Sequence, residues 1–396
     1  MATQTISDIT SILAKQRDFF ESNQSRDIDF RIEQLIKLKK AIKANENNIY
    51  EALSADFKKS QFETYATEIG VLYEEISCML KNIKKWATPQ LVTDTIANFP
   101  SRNYIYNDPY GVCLIIGAWN YPLSLTLAPV IGAIAAGNTC IIKPPRASIH
   151  AYRIIQKIIA DNFNENYLTV LDEYSDNNEM LSHRYDYIFF TGSVEVGRTI
   201  AKAAAEFLTP TTLELGGKSP CIIDKQADIV VAAKRVAWGK FLNGGQTCIA
   251  PDYLLLHHDV KEKFYTAFKN SLKEFYGNNP QDSADFPRII NDKHFNRLSS
   301  MITDGKIITG GKTDEDTRYI APTLIEIDSL EHPLMRDEIF GPILPVLTIH
   351  SIDEAISIVK KFEKPLAFYI FSNNYANQQK CLHTVQFGGG CINDTL

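Results

Sequence analysis

The sequence predicts an α/β chain in which two αβ bodies follow one another, and two alternations carry that reading. Between Tyr110 and Leu213 the strand-like runs VCLII, TCII, LTVL and YIFF alternate with helix-like stretches, and a second alternation runs from CIID at Cys221–Asp224 to FYIF at Phe368–Phe371. Strands separated by helices imply a parallel sheet covered on both faces. The 396 residues suffice for two or three domains of roughly 150 each. With 45% apolar and 22% charged residues, the composition is that of a folded body and not of a disordered or fibrous chain.

Taken in order, the first ninety residues read as helices. Ile28, Ile32, Leu35, Leu38 and Ile42 form one apolar stripe, and Ile69, Leu72, Ile76, Met79 and Ile83 form another. Thr88-Pro89 stops the pattern, and the β-branched and aromatic residues of Leu91–Tyr106, around Pro100, predict two short strands forming an arm of the kind that serves assembly. Gly111–Ile142 is apolar enough to cross a bilayer by length alone. Pro122, Pro129 and Gly137-Asn138 punctuate it, so strand, turn, buried helix and strand are expected there, and no transmembrane segment. The second alternation adds a helix around Ala232–Phe241, the strand YLLLH, a helix near Lys261–Phe275, the strands TLIEI and PVLTI, and a helix near Asp353–Phe362.

Several function classes drop out. Lys plus Arg total 41 against 47 acidic residues, a net charge of -6 without a basic block, so a nucleic-acid partner is not expected. The seven cysteines are odd in number, scattered and never CxxC, which suggests neither a disulfide framework nor a zinc site. No metal is expected on that ground. The N-terminus lacks a basic segment followed by an apolar run, so a reducing cytoplasmic setting is the expectation.

The sharpest chemical signal is GGQTCIAPDY, Gly244–Tyr253. A lone cysteine is most often a small buried hydrophobe. Gly-Gly permits a tight bend, however, and Gln246 and Thr247 are not what a core position needs, so Cys248 is expected on a turn at a helix end, where a thiolate is a nucleophile. None of the eight histidines is an evident partner for it, which leaves a Cys–His protease as an alternative. Glu214, in TTLELGGKSP, is either an outward-facing strand residue or, if desolvated in a cleft, a base for water. Asn120 follows VCLII, at the strand end where α/β sheets place their sites, although a loop asparagine is often only a turn former. Gly192, Ser193 and Gly197, in FFTGSVEVGR, put a strand end and a helix start where a pyrophosphate could be met, without the three-glycine fingerprint. Tyr121, Trp238 and Phe340 are candidates to line an apolar tunnel and equally candidates for core filling.

Five motifs in this order, GAWNYPLSLTLAPVIGAIAAGNTCIIKP, FFTGSVEVGR, LELGGKSP, GQTCIAPDY and DEIFGPILPV, resemble the aldehyde dehydrogenase superfamily, and most of all its class 3, fatty and aromatic aldehyde branch, from about residue 10 to the last residue. The resemblance implies two Rossmann-like αβ domains with a small β arm for oligomerisation: an NAD(P)-binding domain at 1–87 and 110–213, the arm at 88–109 with the C-terminal end 389–396, and a catalytic domain at 214–388, with the site between the two domains. It implies NAD- or NADP-dependent oxidation of aldehydes to carboxylic acids. Cys248 would be the nucleophile, carrying a thiohemiacetal and then a thioester. Asn120 and the Cys248 N–H would hold the oxyanion, and Glu214 would activate the hydrolytic water. Lys143 and Glu338 match residues that hold the cofactor riboses, with Phe340 beside Glu338. Two rivals remain: a coenzyme A-acylating relative, which would not need a base at Glu214, and a catalytically silent member.

The chain departs from the class 3 pattern twice. After Lys143-Pro144 the relatives carry an acidic residue for the adenine ribose, and this chain has Pro145-Arg146; Arg146 would either admit a 2′-phosphate, favouring NADP, or point to solvent. The relatives also continue past the counterpart of Asn393–Thr395, where this chain reaches Leu396; that part helps close the substrate mouth, completes the assembly strand and sometimes adds a membrane-binding tail. A natural short form, an engineered cut and an omitted tail stay open. Medium- or long-chain aliphatic, aromatic or isoprenoid-derived aldehydes are the expected substrates, a homodimer the expected assembly, and peripheral membrane contact is left open.

Overall fold

The computed structural model describes residues 8–302 and 305–396. Backbone contacts divide the chain into two units, residues up to Leu53 with Thr64–Glu214, and Ser54–Glu63 with Leu215–Leu396. The segment Ser54–Glu63 groups with the second unit although the sequence reading keeps all of 1–87 in the first. Its polar backbone partners explain why: the Arg288 N–H donates to the Phe57 carbonyl at 2.7 Å, and the Asn243 N–H to the Glu63 carboxylate at 2.7 Å.

The first unit opens with α1 (Ile9–Glu21), α2 (Ile28–Ala44), α3 (Glu46–Phe57) and α4 (Gln61–Thr64), then a π-helical turn, Tyr65–Ile69, that runs into α5 (Gly70–Trp86). Asp27 caps α2 by accepting from the Phe30 N–H. The two expected stripes are the buried faces: Leu35, Leu38 and Ile42 on α2, and Leu72, Ile76 and Ile83 on α5. An arm follows, β1 (Gln90–Val92) antiparallel to β2 (Asn103–Ile105). The remaining elements are β3 (Val112–Ile116), α6 (Ser124–Ala136), β4 (Thr139–Lys143), α7 (Ile149–Asn162), β5 (Leu168–Val170), α8 (Asn177–Leu181), β6 (Tyr187–Gly192), α9 (Val194–Glu206) and β7 (Thr211–Leu215). They form a five-stranded sheet in the order β5-β4-β3-β6-β7, with β5, β4, β3 and β6 paired in parallel. The long apolar stretch is β3, α6 and β4, and among the described residues no helix is long and apolar enough to cross a membrane. Pro129 lies inside α6 and does not punctuate it; the stop comes at Gly137, whose φ of 90° is the left-handed closure that favours glycine.

The second unit contains β8 (Pro220–Ile223), α10 (Ile229–Phe241), β9 (Tyr253–His257), α11 (Lys261–Tyr276), α12 (Asp292–Ser299), β10 (Lys306–Thr309), β11 (Thr313–Asp314), β12 (Tyr319–Ile320), β13 (Thr323–Glu326), β14 (Ile343–Ile349), α13 (Ile352–Val359), β15 (Ala367–Phe371), α14 (Tyr375–Thr384) and β16 (Gly389–Ile392). Its seven-stranded sheet has the order β10-β13-β14-β9-β8-β15-β16, parallel except for β10. Successive residues feed opposite cores: Cys221, Ile223, Leu254 and Leu256 pack with α10 and α11, while Ile222, Leu255 and Ile370 pack with Leu298, Ile356 and Cys381. Burial on both faces is why these strands read as unbroken apolar runs. Gly389–Ile392, placed with the arm in the sequence reading, is instead the edge strand beside β15.

Candidate active site

In the second unit, α10 ends in a turn through Asn243, Gly244 and Gly245, which have φ values of 54°, 62° and 74°. Three left-handed residues in a row reverse the chain at once. At Gly245 a Cβ would lie 2.3 Å from the Gly341 carbonyl oxygen, so only glycine fits. The turn is braced from beneath. Gln246 is fully buried; its amide NH2 donates to the Asn243 and Arg288 carbonyls at 2.9 and 3.1 Å, and its carbonyl accepts from the Ile290 N–H at 3.0 Å. The sequence reading takes Gln246 and Thr247 as signs of an open turn, and both are buried: the Gln246 amide is needed inside, where it ties the turn to the backbone of Arg288 and Ile290. The turn presents Cys248, which is partly exposed, whereas Cys113, Cys140, Cys221 and Cys381 are buried and their thiols pushed up by that burial, Cys381 to about 12.

A cluster of charge lies in the same unit. Lys218 pairs with Asp252 at 2.6 Å and donates to the Leu334 and Asp337 carbonyls, while the other Asp252 oxygen accepts from the Ile339 N–H at 2.9 Å. Glu338 lies against the Gly216-Gly217 turn, accepting from the Gly217 N–H, and a Cβ on Gly216 would fall 2.1 Å from its carboxylate. Burial, seconded by Asp252, pushes Glu338 up to about 8. Lys240 is 1% exposed, and burial brings it down to about 8 against the opposing pull of Asp252. Phe340 holds a φ of 53° two residues after Glu338. Trp238, on α10, meets Phe62 and Phe275 edge-on at 6.5 and 6.1 Å between ring centres. Cys248, Lys218 and Glu338 thus sit on segments leading into the amino ends of β9, β8 and β14. Lys218 and Asp252 lie inside two of the sequence motifs without having been singled out; Lys240 had no signal beyond an isolated cation on an apolar helix face.

The first unit gathers the other set. Asn120 and Tyr121 follow β3 and are both buried. Glu68, fully buried in the π-helical turn, accepts from the Leu123 and Ser124 N–H groups at 2.8 and 3.1 Å, so one carboxylate caps the start of α6 and fixes the loop that carries Asn120. Nothing in the sequence pointed to Glu68. Gly192 ends β6, Ser193 caps α9 by accepting from the Val196 N–H, and Gly197 is buried in the first turn. Since β3 and β6 are neighbours with β4 on the other side of β3, Asn120 and Ser193 follow the two strands that flank the point where the strand order reverses. Lys143 closes β4; its ammonium donates to the Asp172 carbonyl at 2.8 Å, and burial lowers its pKa while Asp172 opposes the shift. Arg146 sits on the exposed turn after β4 with its guanidinium 5.0 Å over the Tyr174 ring.

Glu214 departs from the desolvated alternative: it is exposed on β7, the edge strand of the first unit's sheet. The α9 N-terminus after β6, with Lys143 and Arg146 after β4 on the other side of β3, is chemically suited to a phosphate-bearing dinucleotide. The residues are therefore grouped as one set on the first unit, Asn120, Tyr121, Lys143, Arg146, Gly192, Ser193, Gly197 and Glu214, and another on the second, Cys248, Trp238, Glu338 and Phe340.

A sheet with a helix start at its switch point, and a second αβ unit that presents a cysteine on a braced turn, define a two-unit α/β protein. Comparison with known proteins gives the family: the aldehyde dehydrogenase family matches residues 1–396, and the chain belongs to it. It is 47% identical over 381 residues to the 4,4'-diaponeurosporen-aldehyde dehydrogenase of Staphylococcus aureus, covering 96% of this chain and 83% of that one. It is 42% identical over 393 residues to a rat (Rattus norvegicus) aldehyde dehydrogenase named dimeric and NADP-preferring, covering 99% and 86%. A solved structure, the substrate-bound state of Staphylococcus aureus AldH, superposes with a TM-score of 0.96 at 45% identity, over 98% of this chain and 86% of that one.

Proposed function

We propose that the protein oxidises apolar aldehydes to carboxylic acids with NAD or NADP, Cys248 being the nucleophile. The observation that carries this is the braced left-handed turn presenting Cys248 in a chain of the aldehyde dehydrogenase family. The Cys248 thiolate adds to the aldehyde carbonyl, forming a C–S bond and an alkoxide. The Asn120 amide and the Cys248 N–H are the donors for that alkoxide. The bound cofactor supplies the hydride acceptor. Cys248 then holds the acyl group as a thioester; Glu214, open to solvent, takes a proton from water, the resulting hydroxide adds to the acyl carbon, and the thiolate leaves as the acid forms.

On the cofactor side, the first-turn N–H groups of α9 with Ser193 would meet the pyrophosphate, and Lys143 and Glu338 the ribose hydroxyls. Arg146, steadied by Tyr174, is placed for a 2′-phosphate, and the rat relative named NADP-preferring supports NADP as the better partner. For substrate, Tyr121 and the aromatic group around Trp238 favour an apolar body, in keeping with a relative named for a diaponeurosporen aldehyde. Domain roles follow the two units, cofactor on the first and nucleophile on the second. The arm displays Leu91, Ile96, Phe99, Ile105 and Tyr106 to solvent, which supports a homodimer, as does the rat relative named dimeric. A cytoplasmic location fits the absence of a spanning helix among the described residues.

The test is absorbance at the reduced-nicotinamide band with hexanal, benzaldehyde and a long-chain aldehyde, each with NAD and NADP, together with product analysis. The expected result is acid formed without coenzyme A and abolished by Cys248→Ala. Strict dependence on coenzyme A would replace hydrolysis by acylation, and no signal with any aldehyde would make the chain catalytically silent.

A further inference from the structure

At the end of β9 remote from the cysteine turn, the strand closes on His257 and a 3-10 turn, His258–Val260. Asp259 faces both imidazoles: one carboxylate oxygen is 2.9 Å from His258 Nε2 and the other 3.6 Å from His257 Nδ1. The ligating atoms of His257, His258 and Asp259 all lie within 4.8 Å of one another. The His350 ring, just beyond β14, stands 4.6 Å from the His258 ring, centre to centre.

The orientation of His257 is set by its neighbours. Its Nε2 faces the His350 carbonyl at 3.0 Å and, since a carbonyl only accepts, must carry the proton. Nδ1 is then the lone-pair nitrogen, which agrees with its acceptance of a long bond, 3.3 Å, from the Asp259 N–H. A buried imidazole whose N–H is tied to a backbone carbonyl, leaving the lone pair of the other nitrogen for a cation, is the arrangement that metal-ligating histidines adopt.

We propose that His257, His258 and Asp259 form a site for a divalent transition-metal cation of the zinc class, with water completing the coordination. Tetrahedral zinc holds nitrogen and oxygen ligands at about 2.0–2.1 Å, which sets them roughly 3.3 Å apart. The observed 2.9 and 3.6 Å separations bracket that value. Mixed imidazole and carboxylate ligation suits zinc, nickel or copper, whereas magnesium prefers oxygens alone. His258 and Asp259 are about half exposed, so an ion reaches them from solvent. The ion would replace the direct His258–Asp259 contact and the weak Asp259 N–H bond to His257, and would tie the end of β9 to the turn that precedes α11. Cys248 lies ahead of the opposite end of β9, so the chemistry there does not require this site.

The experiment is zinc titration of the whole chain by calorimetry or against a chromophoric chelator, with magnesium in parallel, for the wild type, His258→Ala and Cys248→Ala. The second variant is needed because a thiolate also binds zinc. One zinc per chain is expected, without competition from magnesium. His258→Ala should weaken binding at least about tenfold, as loss of a zinc ligand does, while leaving aldehyde oxidation unchanged; Cys248→Ala should leave zinc binding intact. Zinc should also raise the unfolding temperature of the wild type and not of His258→Ala. Equal zinc affinity in the wild type and His258→Ala, or loss of binding in Cys248→Ala, would overturn the proposal, the latter assigning the zinc to the nucleophile.

Discussion

Asn120 and Gln246 are both buried amides, and they answer to different losses. Asn120→Ala removes one proposed oxyanion donor from a loop that Glu68 fixes independently, so turnover should fall by on the order of 10²–10³ while the circular dichroism spectrum stays unchanged. Gln246→Ala removes three side-chain hydrogen bonds and leaves the Arg288 carbonyl and the Ile290 N–H without that partner, so stability should drop by about 2–4 kcal/mol in denaturant titration, with activity falling as the turn loosens. Arg146→Glu should lower kcat/KM for NADP relative to NAD by about 10- to 100-fold, the worth of one charged hydrogen bond; an unchanged ratio would return Arg146 to plain solvent exposure. The turn that carries Cys248 was legible because paired glycines mark it. The burial of Gln246 and the exposure of Glu214 were not, since each depends on what packs against that position from remote sequence. The His257, His258 and Asp259 group was not legible, since adjacent histidines beside an aspartate are common on surfaces and only the turn after β9 brings their ligating atoms together.

On α10, Lys240 occupies a position where its charge is costly. Burial lowers its pKa to about 8 from an ordinary 10.5, so between those values the unfolded chain binds the extra proton and stability rises with pH. Lys240→Met should therefore raise the unfolding temperature at pH 7, corresponding to a gain of about 1–4 kcal/mol if the site accepts an apolar chain of similar volume. The gain should shrink as the pH climbs from 8 to 10.5, because the wild type sheds its penalty over that span; a gain constant with pH would mean that packing, not charge, is responsible. Elements themselves were largely legible, since strands buried on both faces leave apolar runs and surface helices leave stripes. Pro129 was misread as a break because its ring is tolerated within α6, and a helix apolar on every side has no stripe to mark its limits.

Each sheet carries its candidate residues chiefly at one end of its own strands: the carboxyl ends in the first unit, in loops after β3, β4 and β6, and the amino ends in the second, in segments before β8, β9 and β14. The order of elements along the chain could be read from sequence, but pairings between distant segments could not. Gly389–Ile392 joins β15, and Ser54–Glu63 joins the second unit, through contacts that leave no periodic mark. The second of these has a practical bearing on dissection. A recombinant piece starting at Leu215 would retain Cys248 and the whole seven-stranded sheet, yet would lack the acceptors for the Asn243 and Arg288 N–H groups. Such a piece should be recovered insoluble or loosely folded, and grafting residues 54–63 back, as a fusion or an added peptide, should restore it; a well-folded, soluble 215–396 piece would show those bonds to be dispensable. The unit that bears Cys248 is thus a discontinuous parcel of chain, finished by a short stretch translated long before the rest of it.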